Sequence, residues 1–191
     1  MKLTQIEPII ESLPRGPILR KIIALALRIL TGVVIFAGLF VVLGVIGQTI
    51  NLLGNNLAEA LGHLIALVLI VAAILLAVKV LLFRARNILI ENETEYPLIR
   101  ISALLLRTGG ELIALFYSAA GLVAGIMVWF GGQFPFIPTI WQFFSIYGTP
   151  PFILGLGIIF SSLLQALFGL IVLYLLAELL ILFRNLALRS N

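Results

Sequence analysis

Few residues in this chain could carry chemistry. Five charged side chains, Arg28, Lys79, Arg107, Glu111 and Glu178, fall within long apolar stretches. An ionisable group in such a place is expensive to keep and is a functional candidate by default. Arg107 and Glu111 are four residues apart, so on a helix they share one face. Lys79 lies four residues before Phe83, and Glu178 five before Phe183, each ahead of a Leu-Phe-Arg sequence. Aligned on that sequence the two sit at similar depth, and Arg28 is at comparable depth on the first stretch. The five predict one cluster in the cytoplasmic leaflet. Two chemistries suit it. Glu111 and Glu178 would bind or relay a cation or proton, or the charges would pair to fix helix register while the long bases reach the headgroups. The second is favoured. The outer halves of the third and fourth stretches offer only Ser118, Ser161, Ser162 and Gln165 as polar steps, and no stretch is broken by a proline at its middle.

His63 is the one histidine, four residues after Glu59. Asn56-x-x-Glu59 reads as a helix start, with Asn56 capping and Glu59 at the positive end of the helix dipole. A single Glu/His pair has too few ligands for a metal site. His63 alone is a candidate ligand for a chlorophyll-type pigment or haem, and lipid is the other cofactor class expected. There is no cysteine, which excludes disulfides, Cys-based metal sites and thiol catalysis. Phosphate loops, dinucleotide fingerprints, Gly-x-Ser-x-Gly elbows and His-Glu-x-x-His pairs are missing too, so no enzymatic activity is expected.

The elements that must position these groups follow from composition. The 191 residues are 62% hydrophobic and 10% charged, against about 25% charged in soluble domains. Lipid must be the main solvent. Four apolar stretches, at about Ile18–Gly47, Leu57–Phe83, Leu98–Gly131 and Phe152–Phe183, each exceed the roughly 20 residues that a helix needs to cross hydrocarbon. They are continuous, unlike the short alternating strands of a barrel. The expected fold is all-α and integral to the membrane, with four transmembrane helices arranged as two helical hairpins.

Lys and Arg set the orientation. They occupy the N-terminal region, the central connection and the C-terminus, whereas Gln48–Asn56 and Gly132–Pro151 contain neither. Both termini and the central loop are thus expected in the cytoplasm. The net charge of +4 belongs to these segment ends and does not imply nucleic acid. The expected organisation is an interfacial amphipathic segment at 1–16, a first hairpin at 17–87, a cytoplasmic loop at 88–96 and a second hairpin at 97–191. The segment at 1–16 carries a Thr4-x-x-Glu7 pattern, the signature of a capping box. Pro17-Ile18-Leu19-Arg20 resembles Pro97-Leu98-Ile99-Arg100, and Leu82-Phe83-Arg84 resembles Leu182-Phe183-Arg184. The hairpins therefore read either as a tandem repeat or as the same membrane-exit chemistry used twice.

The outer loop at 131–151 is rich in aromatic residues and proline. Trp129, Trp141 and Tyr147 belong at a membrane–water boundary and are candidates for docking another membrane subunit. Gly121, Gly125, Gly157 and Ser161 form small-residue stripes that let helices approach closely.

The last stretch, YLLAELLILFRNLALR, resembles the end of a small uncharacterised bacterial membrane domain family. The matching positions are Glu178, Phe183, Arg184, Asn185 and Leu186. That likeness covers one helix of four and implies a compact helical membrane protein. The first hairpin departs from it, with Val78 and Lys79 where the acid would fall.

The function expected is that of an accessory, scaffold or assembly subunit in a larger membrane complex, with lipid and other membrane subunits or further copies of itself as partners. A small channel or transporter using the charge cluster, and a pigment-binding subunit of a photosynthetic complex, are the alternatives.

Overall fold

The computed structural model describes residues 17–90, 97–131 and 150–189. They form four helices: α1 (Pro17–Leu53), α2 (Leu57–Ile90), α3 (Pro97–Trp129) and α4 (Pro151–Arg189). All four are long and apolar enough to span a membrane. The interfacial segment at 1–16, the acidic residues 91–95, Trp141, Tyr147 and most of the aromatic loop lie outside the described residues.

Three of the four helices begin at a proline, Pro17, Pro97 and Pro151. Proline suits the first helical position, where its missing N–H costs nothing and its fixed φ is already helical. The fourth, α2, starts as its sequence requires. Asn56 Oδ1 accepts the Glu59 N–H at 3.3 Å, and Asn56 Nδ2 donates to Glu59 Oε2 at 3.2 Å. At the other end of α3, Gly131 takes a φ of +81°, a left-handed conformation that glycine adopts without a Cβ clash.

The helices run past the expected ends. Gln48, Thr49 and Asn51 remain within α1, where the Thr49 hydroxyl bonds the Val45 carbonyl at 2.7 Å. The turn to α2 is only residues 54–56, closed by the Asn55 and Asn56 N–H groups on the Leu52 carbonyl. At the basic end, α2 continues beyond Leu82-Phe83-Arg84 to Ile90, and α4 beyond Phe183 to Arg189. With 33 to 39 residues each, the helices are about 50–58 Å long at 1.5 Å per residue. The hydrocarbon core is only about 30 Å thick.

Each helix packs chiefly on its neighbour in sequence: α1 on α2, α2 on α3, and most extensively α3 on α4. The last pair is antiparallel, since Gly125 meets Gly155, Gly121 meets Ser162 and Gly110 meets Leu173. Near the basic end Ala24 and Leu27 of α1 cluster with Leu81, Ala85 and Ile88 of α2, and Leu104, Leu105 and Leu112 of α3 pack against them. Small side chains fill the interior and large ones face outward. Among the described residues, ten of the seventeen buried hydrophobic ones are alanine, while Phe36, Phe40, Phe160 and Phe168 are exposed. Lipid is as apolar as a leucine side chain, so close backbone approach rather than sequestration of bulk holds such helices together.

Candidate functional site

Of the five charges expected to cluster, the structure pairs Arg107 with Glu178, gives Glu111 a partner from outside the set, Arg84, and leaves Arg28 and Lys79 as outliers. Glu111 projects from α3 into its contact with α2 and α4. Arg84 of α2 grips it with two nitrogens, Nε donating to Oε2 at 3.1 Å and the terminal nitrogen to Oε1. Tyr174 of α4 donates its hydroxyl to Oε1 at 2.7 Å. The carboxylate is thereby tied to three helices. One turn away, Arg107 of α3 pairs with Glu178 of α4, and its guanidinium lies 5.8 Å from the centre of the Tyr174 ring. Arg107 and Glu111 do share a face, but each turns to a different partner. Arg28 and Lys79 are exposed and make no ion pair among the described residues.

Residue spacing alone does not single out Arg84 or Tyr174. Arg84 reads as the first residue of a connection, and only the extension of α2 to Ile90 places it within a helix. Tyr174 does leave a signal in the sequence. It lies four residues before Glu178, so it shares the face of α4 that turns toward α3.

The depth of this network follows from helix geometry. At 1.5 Å per residue, Glu111 is about 27 Å from the far end of α3 and Lys79 about 33 Å from the far end of α2. These distances match the hydrocarbon thickness of about 30 Å. Arg84 and Glu178 are each about 40 Å from the far ends of α2 and α4, so the paired charges form a layer toward the basic end of the bundle, and the helices continue beyond it.

A second feature lies in the far half of the bundle. There α1 and α3 separate in front of α2 and leave a cavity of about 690 Å³. Its walls are Val34 to Val45 on α1, Ala66 to Ile74 on α2 and Phe116 to Met127 on α3, with Gln48 and His63 as the two polar side chains that line it. His63 is only 7% exposed. It belongs to the packing stripe of α2, in line with Ala60, Ala66, Ala73 and Ala77. Its Nδ1 is 3.0 Å from the Glu59 carbonyl oxygen. A carbonyl can only accept, so Nδ1 carries the hydrogen and, in the neutral ring, Nε2 is left as an acceptor. The Glu59 side chain is not part of this pairing, because it caps α2 with Asn56.

No family model, curated protein or solved structure matches the chain. The likeness of α4 to a bacterial membrane domain therefore carries no functional argument. Among the described residues no group of three or more His, Asp or Glu side chains comes together as a metal site.

Of the expected small residues, Gly121 and Gly125 of α3 fall at the α3–α4 contact, where they meet Ser162 and Gly155 of α4 rather than the expected Ser161 and Gly157. A Cβ on Gly121 would overlap the Ser162 side chain, and one on Gly125 would stand 2.8 Å from the Gly155 carbonyl oxygen. Ser162, fully buried, is the residue opposite Gly121, and both it and the neighbouring Ser161 donate back to their own helix, to the Ile159 and Ile158 carbonyls. Gly157 is partly buried. Trp129 serves the same hairpin. Its Nε1 donates to the Phe152 carbonyl at 3.1 Å, and its ring stacks on Phe152 at 5.6 Å.

Proposed function

We propose that this chain is a non-enzymatic accessory, scaffold or assembly subunit of a larger membrane complex, with both termini in the cytoplasm. The observation that carries the reading is the serial packing of the helices, which leaves most of the surface of α1 and α4 uncovered among the described residues. On α4 that open surface includes Glu178, whose side chain is 60% exposed although paired with Arg107. A half-satisfied carboxylate on an otherwise apolar helix face is a natural contact for a cationic or hydrogen-bonding group on another subunit. The paired state of Arg84, Glu111 and Tyr174 favours a fixed structural network over an ion relay, because each charge already has its partner. The orientation rests on residues 48–56 and 132–151, which hold neither Lys nor Arg, the pattern of segments on the non-cytoplasmic side.

The test is extraction from the native membrane in a mild detergent, with native mass determination and identification of everything that travels with the chain. A particle holding further membrane subunits, cross-linked through α1 or α4, supports the reading. A homo-oligomer of this chain alone overturns it and moves the charge layer into a flux assay.

A further inference from the structure

The cavity between α1, α2 and α3 has the proportions of one lipid leaflet. The lining runs over fourteen residue steps on α1, from Val34 to Gln48, and eleven on α2 and α3, from His63 to Ile74 and Phe116 to Met127. At 1.5 Å per step that is about 16 to 21 Å, about half to two-thirds of the roughly 30 Å hydrocarbon core. Polarity is confined to one end. Gln48 and His63 sit at the far end beside the α1–α2 turn, and every other lining residue is apolar. The walls are smooth, with Ala37, Gly38, Gly44, Ala66, Ala119 and Ala120 among them. His63 is more than nine-tenths buried, and its Nδ1–H is already committed to Glu59. The remaining ring nitrogen of this cavity-lining residue is left as an acceptor.

We infer that this cavity is a binding site for a membrane amphiphile, one hydrocarbon tail long, whose polar end carries a hydroxyl that donates to Nε2 of His63. Gln48, with both donor and acceptor on its exposed amide, flanks the same polar end. A hydroxylated glycerolipid and a long-chain alcohol or quinol share this chemistry. A tail of one leaflet's length reaches from the polar end to the bundle's midplane near Val34, Ile74 and Phe116. This inference does not rest on the accessory-subunit reading, since a lipid-like ligand fits the cavity whatever the chain assembles with.

The probe is a diazirine-bearing hexadecanol, added to the full chain in phosphatidylcholine nanodiscs and mapped by mass spectrometry after photolysis. Saturable labelling of the cavity walls on α1, α2 and α3, displaced by unlabelled hexadecanol and weaker for the matching hexadecane, is expected. His63→Phe should weaken it by about two- to tenfold, the effect of one hydrogen bond. Gly44 lines the cavity, and a Cβ added there would meet nothing within 4 Å, so Gly44→Leu should fill the space and abolish saturable labelling. Gly47→Leu, equally unobstructed but outside the lining, should leave it unchanged. Labelling that does not saturate or compete in the wild-type chain overturns the proposal without reference to any variant. So does equal labelling by hexadecane and hexadecanol, or a coloured pigment that co-purifies with the native chain and is lost with His63→Phe. Lipid extraction from native preparations then distinguishes a glycerolipid from an alcohol or quinol.

Discussion

Tyr174 donates its hydroxyl to Glu111 across the α3–α4 contact at 2.7 Å, and Arg84 reaches the same carboxylate from α2. One side chain thus couples three helices. A charge-assisted, two-nitrogen grip is directional. It specifies how far α2 and α4 can slide along α3, which apolar contact alone does not.

Removing either partner of this network should destabilise the bundle. Glu111→Gln leaves Arg84, whose side chain is only 17% exposed, without its counter-charge. Full burial would make that cost several kcal/mol, and partial exposure reduces it to about 2 kcal/mol. Tyr174→Phe should cost about 1 kcal/mol. The paired change Arg84→Met with Glu111→Leu should recover most of the loss. Circular dichroism along an SDS titration in detergent measures all three, and a double variant as unstable as Glu111→Gln would contradict the pairing.

Glu178→Gln should behave differently. Its side chain and that of Arg107 are 60% and 33% exposed, a setting where an ion pair contributes at most about 1 kcal/mol. Arg28→Gln and Lys79→Gln, at exposed positions, should stay within about 0.5 kcal/mol of wild type. If the accessory-subunit reading holds, Glu178→Gln lowers co-purification of the partner more than it lowers stability. The comparison of pull-down yield with the SDS midpoint decides this.

Glycines at different sites should respond in opposite ways to one added methyl. Gly121→Ala forces carbon into the Ser162 side chain and should cost about 2 kcal/mol, as overpacking of a close contact does. At Gly32 an added Cβ meets nothing within 4 Å. Gly32→Ala should be neutral or stabilising by up to about 1 kcal/mol, because alanine is the better helix former. The same SDS titration reads both.

A sequence without cysteine makes a clean topology test available. Asn55→Cys, in the turn between α1 and α2, should react with an impermeant maleimide on intact cells. Arg86→Cys, exposed at the basic end, should react only after permeabilisation. The reverse pattern would invert the proposed orientation.

The four helices are legible in the sequence because a bilayer imposes a minimum length that apolar runs reveal directly. Their ends are not. Gln48, Thr49 and Asn51 look like a loop in composition, yet a polar side chain at the membrane face does not stop a helix. Thr49 even bonds back to its own backbone, and the stop comes from Gly54-Asn55-Asn56. The charges of the layer stand out against apolar sequence, but their partners depend on how α2 packs against α3, which no spacing on a single helix encodes. The alanine stripe of α2 is readable and easily outweighed by the glycines of α3. Ala66, Ala73, Ala77, Leu81, Ala85 and Ile88 recur at helical spacing and mark the face on which α2 is buried.

The unequal apolar runs of the two end helices have a mechanical consequence for the surrounding lipid. On α1 the run bounded by Arg28 and Gln48 is about 28 Å long, and on α4 the run bounded by Pro151 and Glu178 is about 39 Å, at 1.5 Å per residue. One flank of the protein therefore suits a thin bilayer and the other a thick one. Upright, the protein would sit as a wedge that stretches the acyl chains beside α4 and compresses those beside α1. A tilt of α4 or a local step in membrane thickness relieves the mismatch.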